Sequence, residues 1–210
     1  MEKIEELKQF LKEQGEDGEV KQSSYDTNLF ETEDGREYLV LTDEEADEYT
    51  YDDIESFIDD VGLKGFTENF QTDILQNGLD SDWVSEAFRD EMYYRVEDME
   101  DDELLDELKS HGLVGDDASV EDIEEDRDSL KEQLVDAYVE DDYDSDGLKV
   151  DYFIDIMGQN AFLDLVTNQN AYDIDYIVDE CIKWDGRGHF LARYDGAEEE
   201  TENYYIYRAN

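Results

Sequence analysis

The chain has no proline, one cysteine (Cys181) and two histidines in 210 residues. Without proline, breaks between elements fall to Gly, Asn and Asp. A lone cysteine excludes an internal disulfide, and no Cys/His cluster has a zinc spacing. No apolar run reaches the ~18 residues of a membrane span, and no basic stretch followed by an apolar one marks a leader. A soluble, cytoplasmic protein is expected. The scarcest class of all is the cation: 16 Lys and Arg face 65 Asp and Glu, for a formal charge of −49.

Apolar residues make up 39% and charged residues another 39%, against usual shares of about 45–50% and about 25%. Such a balance is the mark of disorder. Yet 15 Tyr, nine Phe and two Trp recur along the chain, which implies a folded protein that tolerates self-repulsion with the help of counterions. The charge repels nucleic acid and anionic membranes alike. The expected partners are therefore basic protein surfaces, with no direct nucleic-acid or membrane contact; a homodimer is left open.

Length allows one substantial domain or two small ones. In MEKIEELKQFLKEQ, Ile4, Leu7, Phe10 and Leu11 share a helical face, and Gly15 to Gly18 end the helix. Residues 1–24 are expected as this helix and a linker, semi-detached from a single domain over 25–210. NLFETEDGREYLVLT reads as a hairpin turning at Asp34-Gly35. Thr42 and Glu45 then form a capping box for a helix that points Ile54, Phe57, Ile58 and Val61 at a core. Further helices are expected at 67–77, 80–98, 101–110, 118–140, 149–157, 159–167 and 173–184. In 80–98 the core side is Trp83, Val84, Ala87, Phe88, Met92 and Tyr94 to Val96; in 118–140 it is Ile123, Leu130, Leu134, Ala137 and Tyr138. A second hairpin is expected at about 188–194 and 203–209. The fold class is α+β: mostly helical, with a small antiparallel sheet built from an N-terminal and a C-terminal hairpin.

VLTDEEADE, DGRGHFLARYDG and YYIYRAN resemble a family of uncharacterised acidic proteins carried by bacteriophages and mobile elements. The resemblance covers residues about 28–62 and 172–210. It implies an origin and a bacterial host cytoplasm, and no reaction.

Three constellations invite a chemical role. Asp142, Asp144, Asp146 and Gly147 copy the first half of a calcium loop, but the twelfth position, where a bidentate Glu belongs, is Phe153 and the eighth is Lys149. No metal or other cofactor is expected. The island DGRGHFLARYDG sets His189 among Arg187, Arg193, Asp185 and Asp195, a candidate for acid–base chemistry or anion binding. It lacks a nucleophile motif, a P-loop or a dinucleotide fingerprint, so its arginines are expected in internal ion pairs and its glycines in turns. Cys181, beside Ile177 and Val178, is expected in the core. The tyrosines of EMYYRV and NYYIYR offer stacking surfaces that suit a protein interface better than a nucleic acid.

The acid itself is the strongest signal. Residues 183–210 hold four basic and six acidic side chains; the other 182 residues hold 12 and 59, a net −47. The densest runs supply the candidate partner-binding residues: Glu97, Asp98, Glu100, Asp101 and Asp102; Glu121, Asp122, Glu124, Glu125, Asp126 and Asp128; and Asp141 and Asp142. A helix rises ~1.5 Å per residue and duplex DNA carries one charge per ~1.7 Å of axis, so helices bearing such runs can imitate a phosphate track. The expected function is DNA mimicry: binding and inhibiting a basic host DNA-binding or defence protein, of anti-restriction or anti-CRISPR type. The alternatives are an acidic chaperone or assembly factor for a basic partner, and an enzyme with a site around His189. Halophilic adaptation fits less well, because nine lysines exceed seven arginines.

Overall fold

Local capping signals set the helix starts. At Thr42 the hydroxyl accepts from the Glu45 amide at 3.3 Å while the Glu45 carboxylate accepts from the Thr42 amide at 2.8 Å, the reciprocal box that satisfies two otherwise orphaned donors. Thr67 and Asp80 cap the next two long helices by the one-way bond alone, accepting from the Phe70 and Trp83 amides. In a computed structural model, which describes residues 2–16 and 18–210, the elements in chain order are as follows. First come α1 (Glu2–Glu13), β1 (Val20–Gln22), β2 (Leu29–Thr32), β3 (Glu37–Leu41), α2 (Asp43–Val61) and a 3-10 turn. Then follow α3 (Glu68–Asn77), α4 (Ser81–Glu97), α5 (Asp101–Ser110), α6 (Val120–Ile123) and α7 (Arg127–Ala137), the last running into a π-turn (Tyr138–Asp142). The chain ends with α8 (Asp146–Met157), α9 (Gln159–Gln169), α10 (Ile174–Asp185), α11 (Arg187–Leu191), β4 (Glu199–Glu200) and β5 (Tyr205–Arg208). Asp17, within the stop expected after α1, lies outside the described residues, as does Met1. The fold is α+β and mostly helical with one antiparallel sheet. No described helix is long and apolar enough to cross a membrane.

Packing divides the chain into two units, one made of the residues up to Gly65 together with Ile174–Asn210, the other of Phe66–Asp173. In the first, the sheet order is β1-β2-β3-β5-β4, every neighbour antiparallel. The expected joining of the two chain ends is thus made by β3 and β5, in the register Leu39↔Tyr207. The period-two alternation of a strand gives each face its own partner. Phe30, Tyr38, Val40 and Ile206 pack on Leu7 and Leu11 of α1. On the other face Leu41 and Tyr207 pack on Ala46 of α2 and on Leu191 and Ala192. So α1 is part of this core and not an appendage, and the division lies at 65/66 and 173/174 instead of at 24/25.

Two local expectations are corrected here. Residues 187–191 form α11, not a strand, and the C-terminal hairpin is β4–β5. Phe190-Leu191-Ala192 is too short an apolar run for its period to separate helix from strand. In α2, Ile54 and Ile58 are buried as expected, but Phe57 and Val61 are exposed at 37% and 46%.

In the second unit, Val84, Phe88, Met92 and Val96 of α4 fall at i, i+4 spacing and are all buried. Phe88 takes Tyr143 at 4.7 Å and the edges of Tyr152 and Phe153 at 5.3 and 6.2 Å, and Phe153 stacks on Phe162 at 5.2 Å. The amide of Asp80 reaches the Ala171 carbonyl and that of Asp173 the Gly78 carbonyl, which ties the unit's entry to its exit. Tyr94, expected inward, is 67% exposed. The helix expected over 118–140 is broken between Ile123 and Arg127. Glu121, Asp122, Glu124, Glu125, Asp126 and Asp128 would stack like charges at i, i+3 and i, i+4 in a continuous helix, and Asp is a poor helix former.

Replacing Leu7 (0% exposed) with Ala empties the α1–sheet layer and is expected to lower stability by about 2–5 kcal/mol in urea unfolding. A loss below about 0.5 kcal/mol would return α1 to the status of an appendage.

Candidate functional site

The second unit holds 34 acidic and six basic side chains, a net −28. Five of those six cations bind inside the unit, and four of them join separate helices. Arg89 of α4 meets Asp136 of α7 at 2.6 Å. Arg127 of α7 pairs with Asp101 of α5. Lys131 of α7, only 8% exposed, donates to the carbonyl and carboxylate of Glu97 at 2.9 and 3.0 Å. Lys149 of α8, 7% exposed, donates to Ser85 of α4 at 2.8 Å and to Asp146 at 3.2 Å. Arg95, within α4, lies over the Tyr138 ring, 5.4 Å from its centroid.

These links gather acidic runs that are far apart in sequence. Arg127 and Lys131 hold the first turns of α7 against the α4–α5 junction, so Glu97 to Asp102 and Glu121 to Asp128 meet at the N-terminal end of α5. At the other end of α5, His111 Nε2 lies 3.0 Å from Asp142 Oδ2, which fixes the π-turn carrying Asp141 and Asp142. All thirteen candidate residues are exposed. Glu97, Asp101 and Asp142 hold the links just described, and Asp122 closes a capping box with Ser119, which holds its carboxyl below the usual range. Asp98, Glu100 and Asp102, with Glu121, Glu124, Glu125, Asp126, Asp128 and Asp141, have no ion pair or side-chain hydrogen bond among the described residues. Two further positions missed by the sequence reading, Asp90 and Glu132, belong to this region, together with Tyr93 of EMYYRV, already expected at a protein interface. Asp90, Tyr93 and Glu132 line the groove between α4 and α7 with Glu97 and Asp128. Their signal was present: Asp90, Tyr93 and Glu97 share one helical face, as do Asp128 and Glu132.

Among the described residues, His111 is the link that titrates near neutral pH. Its Nδ1 lies 3.0 Å from the Glu107 carbonyl and its Nε2 faces the Asp142 carboxylate. With an acceptor at each nitrogen, only the imidazolium donates to both. Partial burial works against that charge, but the bonds to Asp142 and the Glu107 carbonyl, with the charges of Asp142 and Glu107, outweigh it and raise the His111 pKa. The Tyr138 ring meets His111 edge-on at 5.0 Å. Burial and the Glu107 carboxylate keep its phenol protonated.

The other candidates take structural positions. Asp146 opens α8, with Gly147 inside the helix, and bonds Ser81 at 2.5 Å and Lys149, so the calcium-like spacing is not folded into a loop. Asp142 is on His111. No group of three or more His, Cys, Asp or Glu that could hold a metal occurs among the described residues. In the island, Arg187 bonds Glu198 at 3.0 Å, Asp43 at 2.8 Å and Asp47 at 2.9 Å, and its guanidinium stands 4.4 Å from the centroid of the Tyr205 ring. Arg193 pairs with Asp53 at 3.1 Å. His189 is exposed beside Phe190. Gly188 is buried, and a Cβ there would stand 2.5 Å from the Gly196 carbonyl oxygen; that is why a glycine is needed. Cys181 is buried, and its thiol is pushed up to about 12, which leaves no thiolate to react.

Comparison with protein-family models, with curated proteins and with solved structures finds no match to this chain. Function is therefore inferred from its own side chains.

Because the folded pKa of His111 is raised, its contribution is complete below the unfolded value of ~6.5 and is lost as pH rises through the folded one. Wild-type unfolding free energy should therefore fall by about 1 kcal/mol between slightly acid and alkaline pH. His111→Gln should flatten that step; an identical profile in the variant would remove the link. Gly188→Ala is expected to destabilise by at least about 1–3 kcal/mol in thermal or urea unfolding, since the opposing atom is backbone. Gly147, with nothing within 4 Å of its would-be Cβ, should accept Ala without loss.

Proposed function

We propose that the acidic face around α5 is a DNA-mimicking surface that occupies the DNA-binding site of a basic, DNA-acting host protein and inhibits it. The observation that carries this reading is the division of labour among charges. Cations cross-link the helices beneath, and nine carboxylates on a fixed frame are left without a partner among the described residues. The ten residues of α5 span about 15 Å, over which duplex DNA presents roughly nine phosphates. The charge density is therefore of the right order. Such a surface draws a DNA-binding protein by the same long-range steering and counterion release that DNA uses. Given the resemblance to phage and mobile-element proteins, the target class is a restriction or CRISPR nuclease or a nucleoid protein of the bacterial cytoplasm. In this reading the 185–196 island has no chemical role; its arginines hold the first unit together.

The test is competition with a labelled DNA duplex for a panel of such proteins, followed by fluorescence anisotropy. The expected outcome is displacement of the duplex from at least one, with an apparent affinity that falls steeply and linearly with the logarithm of salt concentration. The triple variant Asp98→Asn, Glu100→Gln, Asp102→Asn and the quadruple variant Glu121→Gln, Glu124→Gln, Glu125→Gln, Asp128→Asn spare every internal link. Each should weaken displacement about tenfold or more at low salt, with thermal stability unchanged or raised. Displacement from no member of the panel, or equal displacement by both variants, would refute the mimic.

A further inference from the structure

We infer that the groove between α4 and α7 is the anchor for an arginine side chain of the basic partner, with the Tyr93 ring as its stacking face. The inference rests on the acidic face being a protein-binding surface. The groove has a volume of about 500 Å³. Asp90, Tyr93 and Glu97 form one wall at i, i+3 and i+7; Asp128, Glu132 and Val135 form the other at i, i+4 and i+7. Its compatibility with a cation is demonstrated by the chain itself: Lys131 lines it with its ammonium bound by Glu97. That lysine uses Glu97 alone. Asp90, Asp128 and Glu132 are exposed and have neither ion pair nor side-chain hydrogen bond among the described residues, and Arg89 is turned to Asp136.

Tyr93 is 55% exposed and Tyr94 67%, their rings 6.0 Å apart edge to face, on a helix whose Phe88 is fully buried. A half-exposed aromatic pair leaves apolar ring surface in water, and a tyrosine beside unpaired carboxylates is the composition of an interface anchor. A guanidinium fits it better than an ammonium. Its plane stacks on the ring by cation–π attraction while its fork donates to carboxylates at the edge. An ammonium meets the charges and has no plane to stack. Arginine is also a principal phosphate-binding side chain of DNA-acting proteins, which makes the groove a place where a mimic can engage it more tightly than a phosphate track does.

The test uses the full chain and two labelled peptides of equal length, oligoarginine and oligolysine, titrated by anisotropy at about 0.1 M salt. Oligoarginine should bind about fivefold more tightly. Tyr93→Ala should weaken oligoarginine about fivefold and leave oligolysine within about twofold, abolishing the preference, while Tyr93→Phe keeps it. Asp128→Asn with Glu132→Gln should weaken both peptides. Equal binding of the two peptides by the wild type, or a preference that survives Tyr93→Ala, overturns the anchor and leaves the acidic face standing. Binding of neither peptide overturns both. Because Tyr93 is exposed, an unchanged melting curve for its variants separates lost recognition from lost fold.

Discussion

Sixty-five carboxylates on a chain with sixteen cations mean that a folded state can exist only if its few positive charges stand where they oppose the most repulsion. The structure places many of them between elements, although Lys8 and Lys183 pair within their own helices. Lys3 links α1 to Asn28 and Glu45, and Arg36 reaches back to Glu16 at 2.5 Å and across to Asp34. Arg187 draws Asp43, Asp47 and Glu198 to one point. Several of these cations are largely shielded: the side chains of Lys131, Lys149 and Arg187 are about nine-tenths buried. Burial removes hydration, which in most proteins disfavours a cation. Here the surrounding negative potential offsets that loss, and screening by salt is weaker there than at the surface. An exposed pair such as Arg193–Asp53, with the arginine side chain 74% exposed, contributes at most about 1 kcal/mol and mainly lowers local charge.

What was legible in the sequence was local. The Thr42–Glu45 box, the Asp34-Gly35 turn and most of the α4 core stripe are encoded within a few residues; the box and the turn were read correctly, and the stripe was right at Val84, Phe88, Met92 and Val96 but not at Tyr94. The union of the two chain ends in one sheet followed from hairpin patterns at both ends. The misses have non-local causes. Residues 187–191 form a helix that sets Gly188 against the backbone of 196–198, a contact invisible in a short apolar run. The acidic stretch was legible as exposed, but the pairs Glu97–Lys131 and Asp101–Arg127 span 34 and 26 residues. Hence the sequence could not separate the carboxylates that hold the fold from those left to the surface.

That separation bears on how such a surface binds. A disordered acidic tail would have to be ordered on contact, at roughly 1–2 kcal/mol per residue of backbone. Here the first acidic run lies at the end of α4 and the start of α5, and the second passes through α6 and the turn after it into α7, so under the proposed function much of that ordering is complete before a partner arrives. Under the proposed function the stored repulsion would work in favour of association, because a basic surface would relieve it while releasing the counterions that screened it.

The placement of the acids relative to the helix dipoles separates stability from function. Asp101, Asp102 and Glu103 lie in the first turn of α5, where the dipole favours negative charge; they would be expected in any stable helix. Asp136, Glu140, Asp141 and Asp142 lie at the C-terminal end of α7 and its π-turn, where the same dipole disfavours them by roughly 0.3–1 kcal/mol each. Arg89 and His111 compensate two of the four, and Glu140 and Asp141 remain bare among the described residues. The pairs of Asp136 and Asp142 contribute to folding, but folding alone gives no reason to keep Glu140 and Asp141 there. The proposed acidic binding surface would give one, and these carboxylates stand at the end of α5 farthest from the Arg127 and Lys131 links, so that the proposed face runs along the length of that helix.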